Sequence, residues 1–183
     1  DLQAVKAVLA ETGVQLGAQD VFYEDAGAFT GAISPRMLQG LCKYVIVGHS
    51  ERRHIFGDTD ESVGRKVHAA ARHSLVPILC IGETLDEFES ARTAEVLQRQ
   101  LTAVLRDSDP LPEIVVAYEP VWAIGTGKSA EPEAVNLTVT EVRTLLAEMW
   151  GLEVANGIRI LYGGSVNSGN IAGYIRQPEI DGA

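Results

Sequence analysis

The chemistry legible in this chain centres on one carboxylate. Glu119 stands at the end of the apolar run Ile114 to Tyr118, and Pro120 follows it directly. Then come Val121, Trp122, Ala123 and Ile124, followed by Gly125, Thr126, Gly127 and Lys128. A base at a strand's exit is thus joined to a flap with an apolar underside and glycine amides able to hold an anion. Removing a proton from carbon in a site closed to water needs that combination. A terminal charge and a Gly-Thr-Gly turn also occur as plain decoration, so the reading depends on the company Glu119 keeps.

Two further strand exits carry unusual residues. Gly48-His49-Ser50-Glu51-Arg52-Arg53 follows Tyr44 to Val47, and Gly163-Gly164-Ser165 follows Ile158 to Tyr162. A histidine where a strand hands over to a helix meets the positive end of the helix dipole, which keeps the imidazole neutral. A neutral imidazole can donate a hydrogen bond to a carbonyl that is becoming an enolate. Alone, such a histidine more often packs or caps, as expected for His54, His68 and His73; beside Glu119 the catalytic reading is preferred. Glu51 either supports the site by holding a cation or pairs with a nearby arginine. Arg52 and Arg53 read as structural ion-pair partners. Gly163-Gly164-Ser165 offers close-packed amides for a phosphate, or an ordinary tight turn, and Gly125 offers another amide. Together they suggest a small phosphorylated substrate. Lys128 reads as a solvated contact at the flap's far hinge, and Cys80, Gly82 and Glu83 as core and helix-entry residues. The long loop Asp25 to Ser34, with Phe29 and Ile33, suits insertion into a partner subunit; the alternative is a loop folded on its own barrel.

Alternating strands and helices must position these residues. The runs Val14 to Gln19, Tyr44 to Val47, Val76 to Ile81, Ile114 to Glu119 and Ile158 to Tyr162 read as strands. Most are nearly continuous in apolar residues, as parallel strands buried on both faces are; Arg159 interrupts the last. Between them lie the amphipathic stripes Val63, Val67, Ala70, Ala71; Leu97, Leu101, Val104, Leu105; and Val142, Leu145, Leu146, Met149. Thr84 with Glu87 has the form of a capping box, Pro132 suits a first helical turn and Gly151 a helix end. Such repeats mean a parallel α/β fold, either an open doubly wound sheet or a closed eight-stranded barrel. No strand is followed by G-x-G-x-x-G, which disfavours the first. Chemistry-bearing residues after several different strands favour the second.

At 183 residues and 46% hydrophobic, the chain can bury a sizeable core in a single domain. A formal net charge of −10 argues against a nucleic-acid binder. No apolar run is long enough to cross a bilayer, and no secretory signal opens the chain. The two cysteines, Cys42 and Cys80, lack metal-ligand spacing and suit a reducing, cytoplasmic compartment.

These residues closely resemble one family, triosephosphate isomerase. YVIVGHSERR (Tyr44 to Arg53), PILCIGE (Pro77 to Glu83), AYEPVWAIGTGK (Ala117 to Lys128) and LYGGSV (Leu161 to Val166) are similar to its signature segments, in its order. GAFTGAIS (Gly27 to Ser34) is similar to its dimer-interlock loop, with Phe29, Thr30 and Gly31 at the tip. The resemblance implies a (β/α)8 barrel, a homodimer, and interconversion of dihydroxyacetone phosphate with glyceraldehyde 3-phosphate. Glu119 then matches the base that shuttles the proton, and His49 the neutral electrophile. Glu51 is carried over as a supporting member of the catalytic set. Gly125 and Ser165 match positions whose amides hold the phosphate, and Pro120 to Ala130 matches the lid. No metal or organic cofactor is implied.

The departures from the family pattern lie at the ends. The lysine that neutralises substrate charge, and its neighbouring asparagine, are absent, as is the glycine pair after the last strand. The chain is expected to begin in the helix after the second strand, where Val5, Val8 and Leu9 form an apolar stripe. It is expected to stop at Glu179 to Ala183 as the last strand begins, leaving a barrel of about five strands and a stub. Such a polypeptide alone is expected neither to close the barrel nor to be appreciably active, since the cation facing the transition state is missing. A phosphate-binding barrel acting on another substrate and a non-catalytic assembly module are the rival readings.

Overall fold

Short apolar strands alternate with longer amphipathic helices along the computed structural model, which describes residues 1–111, 113–124 and 129–183. In chain order they are α1 (Leu2–Leu9), β1 (Gly17–Ala18), α2 (Pro35–Leu38), β2 (Tyr44–Val47), α3 (Ser50–His54), α4 (Asp60–Arg72) and β3 (Val76–Ile81). There follow α5 (Leu85–Glu89), α6 (Thr93–Leu105), β4 (Val115–Tyr118), a 3-10 turn (Val121–Ala123), α7 (Pro132–Trp150), α8 (Leu152–Gly157), β5 (Arg159–Tyr162) and α9 (Ile171–Ile175). The strands form one five-stranded sheet in sequence order. Every pairing is parallel, with registers that include Tyr44↔Val76, Cys80↔Ala117 and Tyr118↔Tyr162. Sequential parallel order is what repeated right-handed strand–helix units produce.

The strands read from sequence are present, with trimmed ends. β2 and β3 match their expected spans, and β4 and β5 lose one or two terminal residues. The run Val14 to Gln19 shrinks to Gly17–Ala18, because it pairs on one side only and Val14 is 62% exposed. Arg159 is exposed on β5, which explains its break in the apolar run. The expectation of burial on both faces holds for β4, whereas Tyr44, Ile46 and Leu161 are only half-buried. The stub lies parallel beside β5: Leu161 bridges Gly182, and Asp181 N–H donates to the Ile160 carbonyl at 2.9 Å. Among the described residues the sheet does not close on itself.

One face of the sheet is covered by helices. Val45, Val47, Leu79, Ile81, Val116, Tyr118, Ile160 and Tyr162 alternate along the strands into the main core. They meet Val63, Val67 and Ala70 of α4, Leu97, Leu101 and Leu105 of α6, and Val135, Val139, Val142 and Leu146 of α7. The last four recur at helical spacing, and each contributes about 2 kcal/mol by leaving water. The anticipated caps are in place: Thr84 and Glu87 bond reciprocally, Pro132 starts α7, and Gly151 ends it at φ 85°. By contrast α1 buries none of its residues, and its stripe stays open at Val5 (41%) and Val8 (79%).

Arg143 locks α7 to the chain's last segment. Its guanidinium pairs with Glu179 at 2.7 Å and Asp181 at 3.0 Å. It also donates to the Ala155 and Ile158 carbonyls at 2.9 and 3.0 Å. Arg143→Leu is expected to lower the protein's unfolding free energy by about 3 kcal/mol, since three carbonyls (Ala155, Ile158 and Glu179) and two carboxylates lose their donor. Urea denaturation measures it; a change under about 0.5 kcal/mol, typical of a plain surface substitution, would contradict the lock.

Candidate active site

Adjacent strand exits bring the reactive groups together. β4 delivers Glu119, whose N–H still donates to the Ile81 carbonyl at 2.7 Å, as though the strand ran on. β2 ends at Val47, Gly48 follows, and His49 is the N-cap of α3. The Nδ1 of His49 accepts the Glu51 N–H at 3.2 Å. With Nδ1 occupied as an acceptor, a neutral ring carries its proton on Nε2. That nitrogen lies 3.5 Å from Glu119 Oε1. The other carboxylate oxygen, Oε2, accepts the Ser50 N–H at 3.0 Å. One short helix start therefore fixes both the imidazole tautomer and the carboxylate.

Glu119 is only 5% exposed. Burial raises its pKa above the ordinary glutamate value; the facing His49, the Ser50 N–H, the Cys80 thiol and Arg53 pull the other way. A buried, ionised carboxylate held by few donors is a stronger base than one in water. Two glycines make the space. A Cβ on Gly82 would fall 1.8 Å from the Glu119 carbonyl oxygen, and one on Gly163 would fall 2.8 Å from Glu119 Cγ. No L side chain fits at either position without displacing the base.

The arginines do what the sequence suggested. Arg53 donates to the Gly48 carbonyl and Asp60, both at 2.7 Å, and to the Cys80 carbonyl at 3.2 Å, tying the β2 exit to β3. Arg52 pairs with Asp58 at 3.2 Å and Asp20 at 3.3 Å, and the buried Lys66 joins the same two carboxylates. Glu51 is exposed, and its side chain forms no ion pair among the described residues; it does not pair with the adjacent arginines. The Ser165 hydroxyl donates to the Ala123 carbonyl at 2.8 Å, setting the Gly-Gly-Ser turn against the flap. Pro120 to Ile124 lead away from Glu119, whereas Gly125, Thr126, Gly127 and Lys128 lie outside the described residues. Phe29 packs on Phe22 at 4.7 Å yet stays 44% exposed, with Thr30 and Gly31 exposed beside it.

Three residues read from sequence as filler border the chemistry. Cys80 is buried beside Glu119, and its thiol is held protonated by burial first and by the Glu119 charge second. Gly82 provides the clearance already described. Glu83 is fully buried; its Oε1 accepts the Trp122 indole N–H at 2.8 Å and the Tyr118 hydroxyl at 3.0 Å. It therefore anchors the leading end of the flap, where Trp122 also stacks on Phe88 at 4.5 Å. A charged residue directly after Gly82 in an apolar strand was the available sign; nothing local marks its partners.

Glu83 makes a pH prediction. Burial raises its pKa above 4.5, and its Oε2 has no hydrogen-bond partner among the described residues. A carboxyl whose folded pKa is raised contributes stability fully below its unfolded pKa and loses it as pH rises through the folded value. The stability of the protein relative to Glu83→Gln is therefore expected to fall as pH rises from below 4.5. Paired denaturation curves across that range measure it; a constant difference would contradict the buried carboxyl.

The sequence model of the triosephosphate isomerase family matches residues 1–183. The triosephosphate isomerase of Clostridium perfringens (strain 13 / Type A) is 48% identical over 100% of this chain and 75% of its own length. That of Geobacter metallireducens is 50% identical over 100% of the chain and 74% of its own length. That of Roseiflexus sp. (strain RS-1) is 50% identical over 100% and 73%. With a facing glutamate and histidine at the strand exits and a match along its whole length, the chain belongs to the triosephosphate isomerase family.

Proposed function

We propose that this chain carries the active site of a triose-phosphate isomerase, interconverting dihydroxyacetone phosphate and D-glyceraldehyde 3-phosphate through an enediolate. The observation that carries the reading is the 3.5 Å approach of His49 Nε2 to Glu119 Oε1, with Nδ1 already taken by the Glu51 N–H. Family membership and relatives named for this activity at about half identity support it.

The chemistry balances on these two side chains. The Glu119 carboxylate takes a proton from C1 of dihydroxyacetone phosphate. The C–H electron pair becomes the C1–C2 double bond, and the carbonyl pair moves onto the C2 oxygen. His49 Nε2–H meets that developing charge, an electrostatic contribution that water would weaken. His49 gives its Nε2 proton to the C2 oxygen and takes up the C1 hydroxyl proton in its place; as the C1 oxygen's pair forms the aldehyde C=O, the C1–C2 double-bond pair takes the proton back from Glu119 at C2. In this reading the amides of Gly125 and Ser165 hold the phosphate, and Pro120 to Lys128 close over it. Glu51 supports the site through its N–H, which holds His49 Nδ1. Phe29, Thr30 and Gly31 insert into a second copy, giving a homodimer, and the enzyme works in the cytoplasm. No helix among the described residues is long and apolar enough to cross a membrane.

Two outcomes test the reading in the protein. Glu119→Asp, which withdraws the carboxylate by one methylene, is expected to lower kcat/KM roughly a hundredfold. The base must be ionised to act, and its pKa is raised, so the acid limb of kcat/KM should lie above the ordinary glutamate value of 4.5. Steady-state assays with glyceraldehyde 3-phosphate across pH measure both. An undiminished Asp variant, or a limb at or below 4.5, would contradict the assignment of Glu119.

A further inference from the structure

Gln100 interrupts the apolar stripe of α6. Its neighbours Val96, Leu97, Leu101 and Val104 are buried, and Gln100 itself is only 4% exposed. A primary amide in such a place needs partners for both its oxygen and its nitrogen. It finds them on a single residue. Gln100 Oε1 accepts the Gly82 N–H at 2.8 Å, and Gln100 Nε2 donates to the Gly82 carbonyl at 3.2 Å. Gly82 lies just past β3, which ends at Ile81. The Ile81 carbonyl faces β4, where it accepts the Glu119 N–H at 2.7 Å. Main-chain groups of successive strand residues point to opposite sides, so those of Gly82 point towards β2, which has already ended at Val47. The glutamine amide supplies the two bonds that a strand neighbour would have made.

We propose that Gln100 is a positioning residue for the catalytic base: by gripping both main-chain groups of Gly82, it fixes the surface on which the main chain of Glu119 is seated. The inference rests on the isomerase reading above and adds a residue to it. Gly82 and Glu119 are in direct main-chain contact. A Cβ on Gly82 would fall 1.8 Å from the Glu119 carbonyl oxygen and 2.6 Å from its carbonyl carbon. Close-packed atoms have no slack, so a movement of Gly82 passes to Glu119. The far end of the same residue depends on that seat. Glu119 Oε2 meets the Ser50 N–H at 3.0 Å, and Oε1 lies 3.5 Å from His49 Nε2. Both distances hold only while the main chain of Glu119 keeps its place. Without Gln100, the buried N–H and carbonyl of Gly82 would have to move to find other partners. Gln100 thus acts on the base through Gly82, from a helix that contributes no other group to the site described above.

The test compares the parent protein with Gln100→Met, which fills similar space and makes neither bond, and with Gln100→Glu. In Gln100→Met, kcat for glyceraldehyde 3-phosphate should fall about tenfold, the cost of a base displaced by a fraction of an ångström. KM should stay within about twofold, because no substrate contact is removed. The Glu119 carboxyl, followed by carboxyl-carbon NMR, should titrate at higher pH than in the parent. The Ser50 N–H and His49 both lower its pKa, and the displaced carboxylate draws away from both. Gln100→Glu gives a pH signature. Protonated, the new carboxyl carries a donor and an acceptor as the amide does; ionised, it has lost the donor to the Gly82 carbonyl. Its kcat relative to the parent should therefore fall as pH rises through the ionisation of that group. A glutamine that served stability alone would lower the melting temperature and leave kcat and the Glu119 titration as they were. Unchanged kcat and titration in Gln100→Met would overturn the assignment of Gln100. If Gln100→Met does not fold, a kcat ratio for Gln100→Glu that is constant with pH would overturn it. A parent with no isomerase activity would overturn the isomerase reading, and the Glu119 titration alone would then decide whether Gln100 holds that carboxylate in place.

Discussion

Clearance around Glu119 is the constraint on which the site depends. Its main chain passes Gly82 so closely that a Cβ there would sit 1.8 Å from its carbonyl oxygen, and Gly163 gives the same room on the β5 side. Three strands can converge on one buried carboxylate only because their exits carry no side chain at those two points. Burial then raises the carboxyl's pKa, and the Ser50 N–H at 3.0 Å holds it in place. Had either glycine been alanine, the sheet would have to part or the carboxylate would be pushed away from His49. Packing and reactivity here are one problem.

The flap hangs between two anchors of different kinds. At its leading end the Trp122 indole is held by the buried Glu83 carboxylate and by stacking on Phe88. At its trailing end main-chain groups of Ala130 are held by two phenols, Tyr162 and Tyr174. Between these, Ser165 reaches the Ala123 carbonyl from the Gly-Gly-Ser turn. Arg53, bonded to Gly48, Cys80 and Asp60, keeps the His49 turn in step with the strand beneath it. A network of charge-assisted bonds suits that task, because each bond is directional and the group is largely shielded from water.

Much of this was legible in the sequence. Strands β2 and β3, the Thr84–Glu87 cap and the Pro132 start follow from local patterns, and the structure keeps them. His49 and Glu119 were singled out because both stand at strand exits in a parallel fold, where side chains from distant positions converge, and the structure brings them to 3.5 Å of each other. What was missed depends on contacts between distant residues. Glu83 looked like a helix-entry residue until Trp122 and Tyr118, 39 and 35 positions away, were seen to share its oxygen. Cys80 looked like apolar filler because nothing local announces that its thiol borders the base. β1 was read too long because apolar residues at a sheet edge look the same as those in its middle. The α1 stripe was legible, and among the described residues it stays open at Val5 and Val8.

The central claim is that Glu119 moves a proton between neighbouring carbons while His49 serves the oxygens. Running the isomerisation of dihydroxyacetone phosphate in deuterium oxide, and following the triose carbons by NMR, tests it directly. A carboxylate base exchanges some of its captured proton with solvent, so deuterium should enter at C1 of the ketose and C2 of the aldose. Glu119→Gln should abolish that incorporation. Isomerisation with no deuterium at either carbon would indicate hydride transfer. Incorporation that survives in Glu119→Gln would place the base elsewhere. Either result would contradict the account.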